Sequence, residues 1–162
     1  CGTLSFEAIR YASENAVDVI VLDHHQSEVN LPNAFSIVNP NRIDDKSQLN
    51  YLCAAGVTFM FLVSLNKELR IDNWFTNNAI NEPDLIQYLD LVSLGTVCDV
   101  VPLIGLNRAL VKQGLKILKI KRNLGLKTLL DFCRIENHPN IYNFDYRYAN
   151  GIRRRYKINH TK

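Results

Sequence analysis

Residues 17–25 read VDVIVLDHH, and this stretch decides the fold of the chain. Its first six residues are nearly all β-branched or aliphatic, which is typical of a strand buried inside a parallel sheet. Parallel sheets carry their chemistry at the carboxyl ends of the strands, and Asp23, His24 and His25 follow at that end. The stretch therefore predicts a parallel sheet with these three residues at its functional edge.

The rest of the chain alternates between helical and extended patterns. The spacing of apolar residues predicts helices over 5–15, 48–69, 83–94, 106–119 and 125–134, and a second strand over 35–38. A turn over 95–103 is expected to hold a second acid, Asp99. Strands that alternate with helices indicate the α/β class, with a mainly parallel sheet flanked by helices.

Composition limits the class of protein. The chain has 162 residues, of which 47% are hydrophobic and 22% charged, enough for one globular domain with a core. No apolar run approaches the roughly 20 residues that span a membrane, and no signal-peptide pattern is present, so we expect a cytoplasmic protein without a membrane partner. The four cysteines lack any Cys-x-x-Cys spacing, which favours reduced thiols over disulfides or a thiolate zinc site.

Charge is distributed unevenly along the chain. Residues 147–162 contain six basic residues and no acid. Since the whole chain carries +3 and this segment +6, residues 1–146 carry −3. The segment has no apolar periodicity, so 145–162 is expected to be a basic, disordered tail, with contact to nucleic acid as the alternative.

The helix predicted over 106–119 carries a second basic feature. Four cations fall four, four and three residues apart, which places them on one face of a helix: Arg108, Lys112, Lys116 and Lys119. They could neutralise phosphates of a nucleic acid. The alternative is the ordinary solvated face of an amphipathic surface helix.

An acid beside two imidazoles suggests metal chemistry. Carboxylate oxygens and neutral imidazole nitrogens bind Mn²⁺, Mg²⁺ or Zn²⁺, and a pair of such ions can catalyse hydrolysis of a phosphodiester. A two-ion centre needs more acids than Asp23 and Asp99. Asp44, Asp45 and Asp90 are expected to be solvated or capping residues, so the sequence does not supply the remaining ligands.

Four separated motifs, in order, resemble the DHH phosphoesterase family and, within it, the RecJ single-stranded-DNA exonucleases. Asp23-His24-His25 resembles the motif that names the family, and the segment 95–103, GTVCDVVPL, resembles its later acidic motif. Between them, VNPN at 38–41 and LCAAGVTF at 52–59 resemble the RecJ branch, and the likeness extends to Asn107-Arg108 and Gly114-Leu115. The resemblance runs from Cys1 to about Phe144.

The resemblance implies an activity and a role for each motif residue. Members hydrolyse phosphodiester bonds of single-stranded DNA from the 5′ end with two Mn²⁺ or Mg²⁺ ions, in DNA repair and recombination. By position, His24 and Asp99 would be metal ligands, and Asp23 would bind or support the metal as a catalytic residue. His25 would face the scissile phosphate as a hydrogen-bond donor or general acid.

The same resemblance implies that parts of the family pattern are missing. Residues 1–144 are expected to be a partial DHH domain that lacks the first strands and the first acidic motifs, so that the chain alone is catalytically incomplete. One hypothesis is an exonuclease domain completed by upstream sequence or by a separately encoded remainder. The alternatives are a non-catalytic remnant with weak binding to metal or nucleic acid, or another DHH-family phosphodiesterase.

Overall fold

A computed structural model describes residues 2–132, which divide into two compact units with the boundary between Pro83 and Asp84. The first unit contains α1 (Phe6–Glu14), β1 (Ile20–Leu22), β2 (Ser36–Val38), α2 (Ala54–Ile71) and α3 (Trp74–Asn77). The second contains a 3₁₀ turn (Leu85–Tyr88), α4 (Leu89–Cys98), α5 (Gly105–Lys119) and α6 (Leu124–Phe132). The α/β class is confirmed. The expected tail at 145–162 and the boundary at Phe144 lie outside the described residues.

The two strands pair in parallel, as the sequence predicts. Their register sets Ile20 beside Ser36 and Leu22 beside Val38. The middle residue of β1, Val21, is buried, whereas Ile20 is half exposed. The register places the residues that follow the strands, Asp23 and Asn39, at one edge of the sheet.

Helix α2 begins six residues later than the sequence predicts. Gln48 has φ 59°, in the left-handed region, which a continuous right-handed helix does not accommodate. The helix begins after Cys53, whose Sγ accepts a hydrogen bond from the Gly56 N–H at 3.4 Å. Residues Leu52, Cys53, Val57 and Phe59 are buried in the first unit.

The second unit is built on α4 and α5. The prediction of a turn from Gly95 is wrong, because Gly95–Cys98 continue α4 and Asp99 is its C-cap. The core beneath these helices consists of Val97, Val111, Leu118, Leu126 and Leu130. Within residues 2–132, no helix has both the length and the apolar character needed to cross a membrane.

Candidate metal site at the Asp-His-His motif

The sheet fixes the position of the Asp-His-His motif. Asp23 follows β1 directly and its backbone N–H donates to the Val38 carbonyl oxygen at 3.0 Å, which extends the ladder by one residue. Asn39 follows β2 in the same way. Both side chains are buried, with 4% and 3% of their surface exposed, so the motif begins below the surface of the first unit.

The Asp23 carboxylate accepts hydrogen bonds at both oxygens. Oδ2 accepts from the backbone N–H and the hydroxyl of Thr3, at 2.7 and 2.8 Å. Oδ1 accepts from the backbone N–H groups of His24 and His25, at 2.7 and 3.2 Å. Gly2 has φ +82° and a Cβ there would overlap the carboxylate, so the backbone approaches as closely as only glycine permits.

The His25 ring is held by the same carboxylate. Its Nδ1 lies 2.6 Å from Asp23 Oδ1, and its side chain is 65% exposed. Because Asp23 engages Nδ1, Nε2 is the ring nitrogen that an external group can reach. The His24 ring lies beside it, with 4.5 Å between the ring centroids. An acid that orients an imidazole is a common element of catalytic and metal sites.

Hydrogen bonds keep Asp23 ionised in spite of its burial. Burial is the largest single influence on its pKa and acts to raise it. The donors of Thr3 and His25 together outweigh burial and hold the pKa of Asp23 well below its ordinary value. The site therefore presents a fixed negative charge under the His25 ring.

Two asparagines complete the motif, and the sequence did not single them out as site residues. Asn39 Nδ2 donates to the Thr3 hydroxyl at 2.8 Å and to the His25 carbonyl oxygen at 2.9 Å. Asn41 Nδ2 donates to the His24 carbonyl oxygen at 2.6 Å, and its backbone N–H donates to Asn39 Oδ1 at 2.8 Å. The available signal was positional, because Asn39 follows β2 as Asp23 follows β1.

The donor types of the motif fit a divalent ion, but the number of donors does not. Imidazole nitrogen and carboxylate oxygen suit Mn²⁺ or Mg²⁺. Over residues 2–132, however, no three or more His, Cys, Asp or Glu side chains come together in a way that could hold a metal ion. Both oxygens of Asp23 are also engaged by protein donors. These residues do not by themselves constitute a metal centre.

The other acids belong to other segments of the chain. Asp99 belongs to the second unit, where its backbone N–H donates to the Gly95 carbonyl oxygen at 3.0 Å. Asp44 is exposed and pairs with Arg42, at 2.6 Å between Oδ2 and Nη2, and Asp45 Oδ1 accepts from the backbone N–H of Ser47, as a solvated or capping residue would. Asp90 is not solvated, since only 3% of it is exposed, and its Oδ1 accepts the backbone N–H of Leu91 in the first turn of α4.

A cavity of about 810 Å³ lies beside the motif rather than over it. Its wall includes Asn39, Arg42 and Lys46, together with Met60 and Phe61 of α2. None of the three motif residues lines it. Asn39 is thus shared between the hydrogen-bond network of the motif and the wall of this cavity.

The family follows from these observations and from comparison with known proteins. The sequence model of the DHH family N-terminal domain matches residues 1–96. This range holds both strands, the Asp-His-His motif and the Thr3 and Asn39 side chains that support it. The chain belongs to the DHH family.

Curated relatives narrow the comparison to one branch. The chain is 40% identical over 131 residues to the single-stranded-DNA-specific exonuclease RecJ of Escherichia coli. It is 34% identical over 131 residues to the RecJ of Thermus thermophilus. The match with the Escherichia coli protein covers 80% of this chain and 23% of that protein. The match with the Thermus thermophilus protein covers 81% of this chain and 18% of that protein. The chain thus spans about a quarter or less of the length of these relatives.

Solved structures give the same result. An exonuclease RecJ bound to manganese matches with a TM-score of 0.71 and 32% identity, over 92% of this chain and 34% of that one. RecJ from Thermus thermophilus in complex with Mg²⁺ matches with a TM-score of 0.53 and 30% identity, over 83% of this chain and 18% of that one. The likeness is to one part of a larger metal-binding exonuclease.

Proposed function

We propose that this chain supplies the Asp-His-His part of a metal-dependent exonuclease that hydrolyses single-stranded DNA from its 5′ end. The observation that carries the proposal is the buried Asp23 carboxylate, held by Thr3 and aimed at His25 Nδ1 at 2.6 Å. It is supported by membership of the DHH family and by relatives named as single-stranded-DNA-specific exonucleases.

Within this proposal, His25 is the group that acts on the substrate. Asp23 orients its ring and balances the positive charge that the ring carries when both nitrogens are protonated. The exposed Nε2 then donates a hydrogen bond, or a proton, to the leaving oxygen of the scissile phosphodiester, and a ring that gives up its proton becomes neutral. Donors aimed at charge that develops in the transition state lower the barrier. Asn39 and Asn41 hold the carbonyl groups of the two histidines and so keep the motif in place.

We further propose that His24 and Asp99 are the ligands this chain contributes to a Mn²⁺ or Mg²⁺ centre, with Asp23 supporting them. Family neighbours with manganese and with Mg²⁺ support a divalent ion. Because residues 2–132 hold no complete set of metal ligands, we place the remaining acids outside this range, in sequence joined to this chain or encoded separately. We extend the domain to about residue 144, with a separate basic segment over 145–162.

The chain by itself is therefore expected to bind without hydrolysing. The incomplete ligand set is the specific observation that favours this second role, that of a non-catalytic domain. The two roles differ in a measurable way. In the exonuclease role, the motif supports hydrolysis once the missing ligands are supplied. In the non-catalytic role, it does not support hydrolysis even then.

A chimeric protein distinguishes the exonuclease role from the non-catalytic role. This chain replaces the matching segment of the Escherichia coli RecJ, and release of nucleotides from 5′-labelled and 3′-labelled single-stranded DNA is measured with Mn²⁺ or Mg²⁺. We expect no release by the chain alone and 5′-directed release by the chimera. His25→Gln and Asp23→Asn in the chimera should each reduce the rate by about 10²-fold or more. Glu28→Gln, at an exposed position three residues after His25, is the control and should leave the rate unchanged.

Two results would contradict the exonuclease role. One is a chimera that has the circular dichroism spectrum and melting behaviour of a folded protein but releases no nucleotide. The other is a chimera in which His25→Gln is as active as the unchanged protein. The first of these would favour the non-catalytic domain.

A further inference from the structure

Helix α5 presents a row of cations along one face. The row, here named the α5 stripe, consists of Arg108, Lys112, Lys116 and Lys119, all of them exposed. Since an α-helix rises 1.5 Å and turns about 100° per residue, successive members lie about 6, 6 and 4.5 Å apart along the axis, within about 80° of arc. The stripe is a straight track of positive charge about 16 Å long.

No acid of the surrounding sequence neutralises the stripe. Residues 100–130 contain seven basic residues and no Asp or Glu. Within the described part of the chain, none of the four stripe cations takes part in an ion pair, whereas the neighbouring Lys121 pairs with Asp131 at 3.7 Å. Among residues 2–132, therefore, no ion pair offsets the charge of +4 that the stripe carries.

The opposite face of α5 fixes the stripe in place. Leu110, Val111 and Leu118 are buried there. Gly114 packs so closely on α4 that an added Cβ would overlap the Leu89 carbonyl oxygen and lie 2.5 Å from Ser93 Cβ. Because the helix cannot rotate or shift without breaking this contact, the four cations are carried on a rigid support.

We propose that the α5 stripe binds the phosphate backbone of single-stranded DNA, a proposal that takes its substrate class from the proposed function. Evenly spaced cations match a polymer with evenly spaced anions, and each phosphate contact gains affinity by releasing a counterion. Along a duplex each strand advances about 3.4 Å per phosphate, roughly half the spacing of the stripe. A single strand has no partner to fix its spacing and can extend to set one phosphate against each cation.

Binding of a fluorescent single-stranded twenty-nucleotide dT oligomer tests the proposal, measured by anisotropy over a series of salt concentrations with EDTA present. In one variant of the full chain, all four stripe cations are changed to Gln. In the matched control, four exposed cations on other elements are changed to Gln: Arg10, Lys46, Lys67 and Lys127. Both variants lower the formal net charge by four, so position alone distinguishes them. A third variant, with Arg108→Lys, Lys112→Arg, Lys116→Arg and Lys119→Arg, keeps the charge of the stripe.

We expect the stripe variant to lose affinity at least tenfold relative to the control at low salt. The slope of its log affinity against log salt concentration should be smaller in magnitude by about 2.8, since each of the four single-strand phosphate contacts contributes about 0.7 to that slope. The charge-keeping variant should bind like the unchanged chain. A 20-nucleotide duplex and a twenty-residue poly-glutamate peptide should compete weakly for the labelled strand.

The proposal is overturned if the stripe and control variants lose affinity equally, if the charge-keeping variant fails although its circular dichroism spectrum is unchanged, or if duplex or poly-glutamate competes as well as single strand. Absence of any binding by the unchanged chain also overturns it.

Because the assay contains no divalent ion, its result is independent of hydrolysis. Stripe-dependent binding together with an inactive chimera would refute the proposed exonuclease and leave this inference standing, and the reverse pattern would refute only this inference.

Discussion

Thr3 donates two hydrogen bonds to one oxygen of Asp23, from its backbone N–H at 2.7 Å and from its hydroxyl at 2.8 Å. The same hydroxyl accepts from Asn39 Nδ2 at 2.8 Å. Thr3 precedes α1, Asp23 follows β1 and Asn39 follows β2. One fully buried hydroxyl thus joins three segments that are distant in sequence, and it orders the acid that holds the His25 ring.

Replacement of Thr3 by Val should destabilise the first unit. The two side chains have nearly the same shape, so the change removes the hydroxyl and leaves one N–H of the Asn39 amide and one Asp23 lone pair unsatisfied in a buried site. The expected loss is about 1–3 kcal/mol of unfolding free energy, measured by urea denaturation. Thr128→Val is the control, because the exposed Thr128 hydroxyl bonds only to the Leu124 carbonyl oxygen of its own helix. Equal losses in the two variants would show that the buried network contributes nothing.

Asp90 should make stability fall as pH rises. Burial raises its pKa, and the Leu91 N–H offsets this only in part. The folded chain therefore keeps this proton to a higher pH than the unfolded chain. Its contribution is most favourable below the ordinary value of 3.8 and is lost as pH rises through the raised folded pKa.

Asp90→Asn tests this sign, because it keeps an acceptor for Leu91 N–H and removes the charge. Urea denaturation at pH 4 and pH 7 should show the variant gaining stability relative to the unchanged chain, with the larger gain at pH 7. Asp18→Asn, at an exposed position, is the matched control for the removal of one negative charge. A gain for Asp90→Asn that is the same at both pH values would contradict the argument.

The local sequence predicts much of this fold because its apolar spacing is unambiguous. The apolar runs at 17–22 and 35–38 predict two parallel strands, and both occur, although shortened to Ile20–Leu22 and Ser36–Val38. The start of α2 was not predictable in this way. Residues 48–53 have helix-compatible side chains. Gln48 nevertheless has a left-handed φ of 59°, and the Leu49 N–H donates to the Ser47 hydroxyl at 3.2 Å, so a local turn takes the place of the first helical turns.

The sequence predicts the Asp-His-His motif of the site but not the residues that hold the motif in place. Asp23 and His25 are two residues apart in sequence, and their position after a strand indicated a functional edge. The bonds from Thr3 and Asn39 cross 20 and 36 residues. The pairing of β1 with β2 brings Asn39 to Asp23, and the folding of the segment before α1 brings Thr3. Burial of Asp90 was missed for a similar reason, since a charge within a helix predicts exposure unless its neighbours are known.

Gly114→Ala should separate packing from helix propensity in the second unit. Alanine favours an isolated helix by about 1 kcal/mol over glycine. At Gly114, however, the added methyl would overlap the Leu89 carbonyl oxygen and press on Ser93, so a net loss of about 1–3 kcal/mol is expected. Gly125→Ala in α6 is the control, because its Cβ meets nothing closer than Asn123 Oδ1 at 3.4 Å. The melting temperature should fall for Gly114→Ala and should stay the same or rise for Gly125→Ala. Matching shifts in the two variants would rule out the close contact between α4 and α5.

Arg42 covers the outer edge of β2, and its loss should expose that edge. The backbone groups of Ser36 and Val38 bond to β1, which leaves the Ile37 carbonyl oxygen facing outward, where Arg42 Nη1 donates to it at 2.7 Å. Asp44 holds the guanidinium in this position through bonds of 2.9 and 2.6 Å. Arg42→Gln should therefore cost about 1 kcal/mol of unfolding free energy and uncover an unpaired strand edge.

The edge gives this variant a second signature, since an uncovered strand edge pairs with other chains. Light scattering at rising protein concentration should increase for Arg42→Gln more steeply than for the unchanged chain. Arg10→Gln removes the same charge from an exposed pair with Glu14 at 3.9 Å, and should change stability by a few tenths of a kcal/mol with no change in scattering. If Arg42→Gln and Arg10→Gln behave alike in both measurements, the guanidinium neither caps the Ile37 carbonyl nor protects the sheet, and the edge of β2 must be covered by other means.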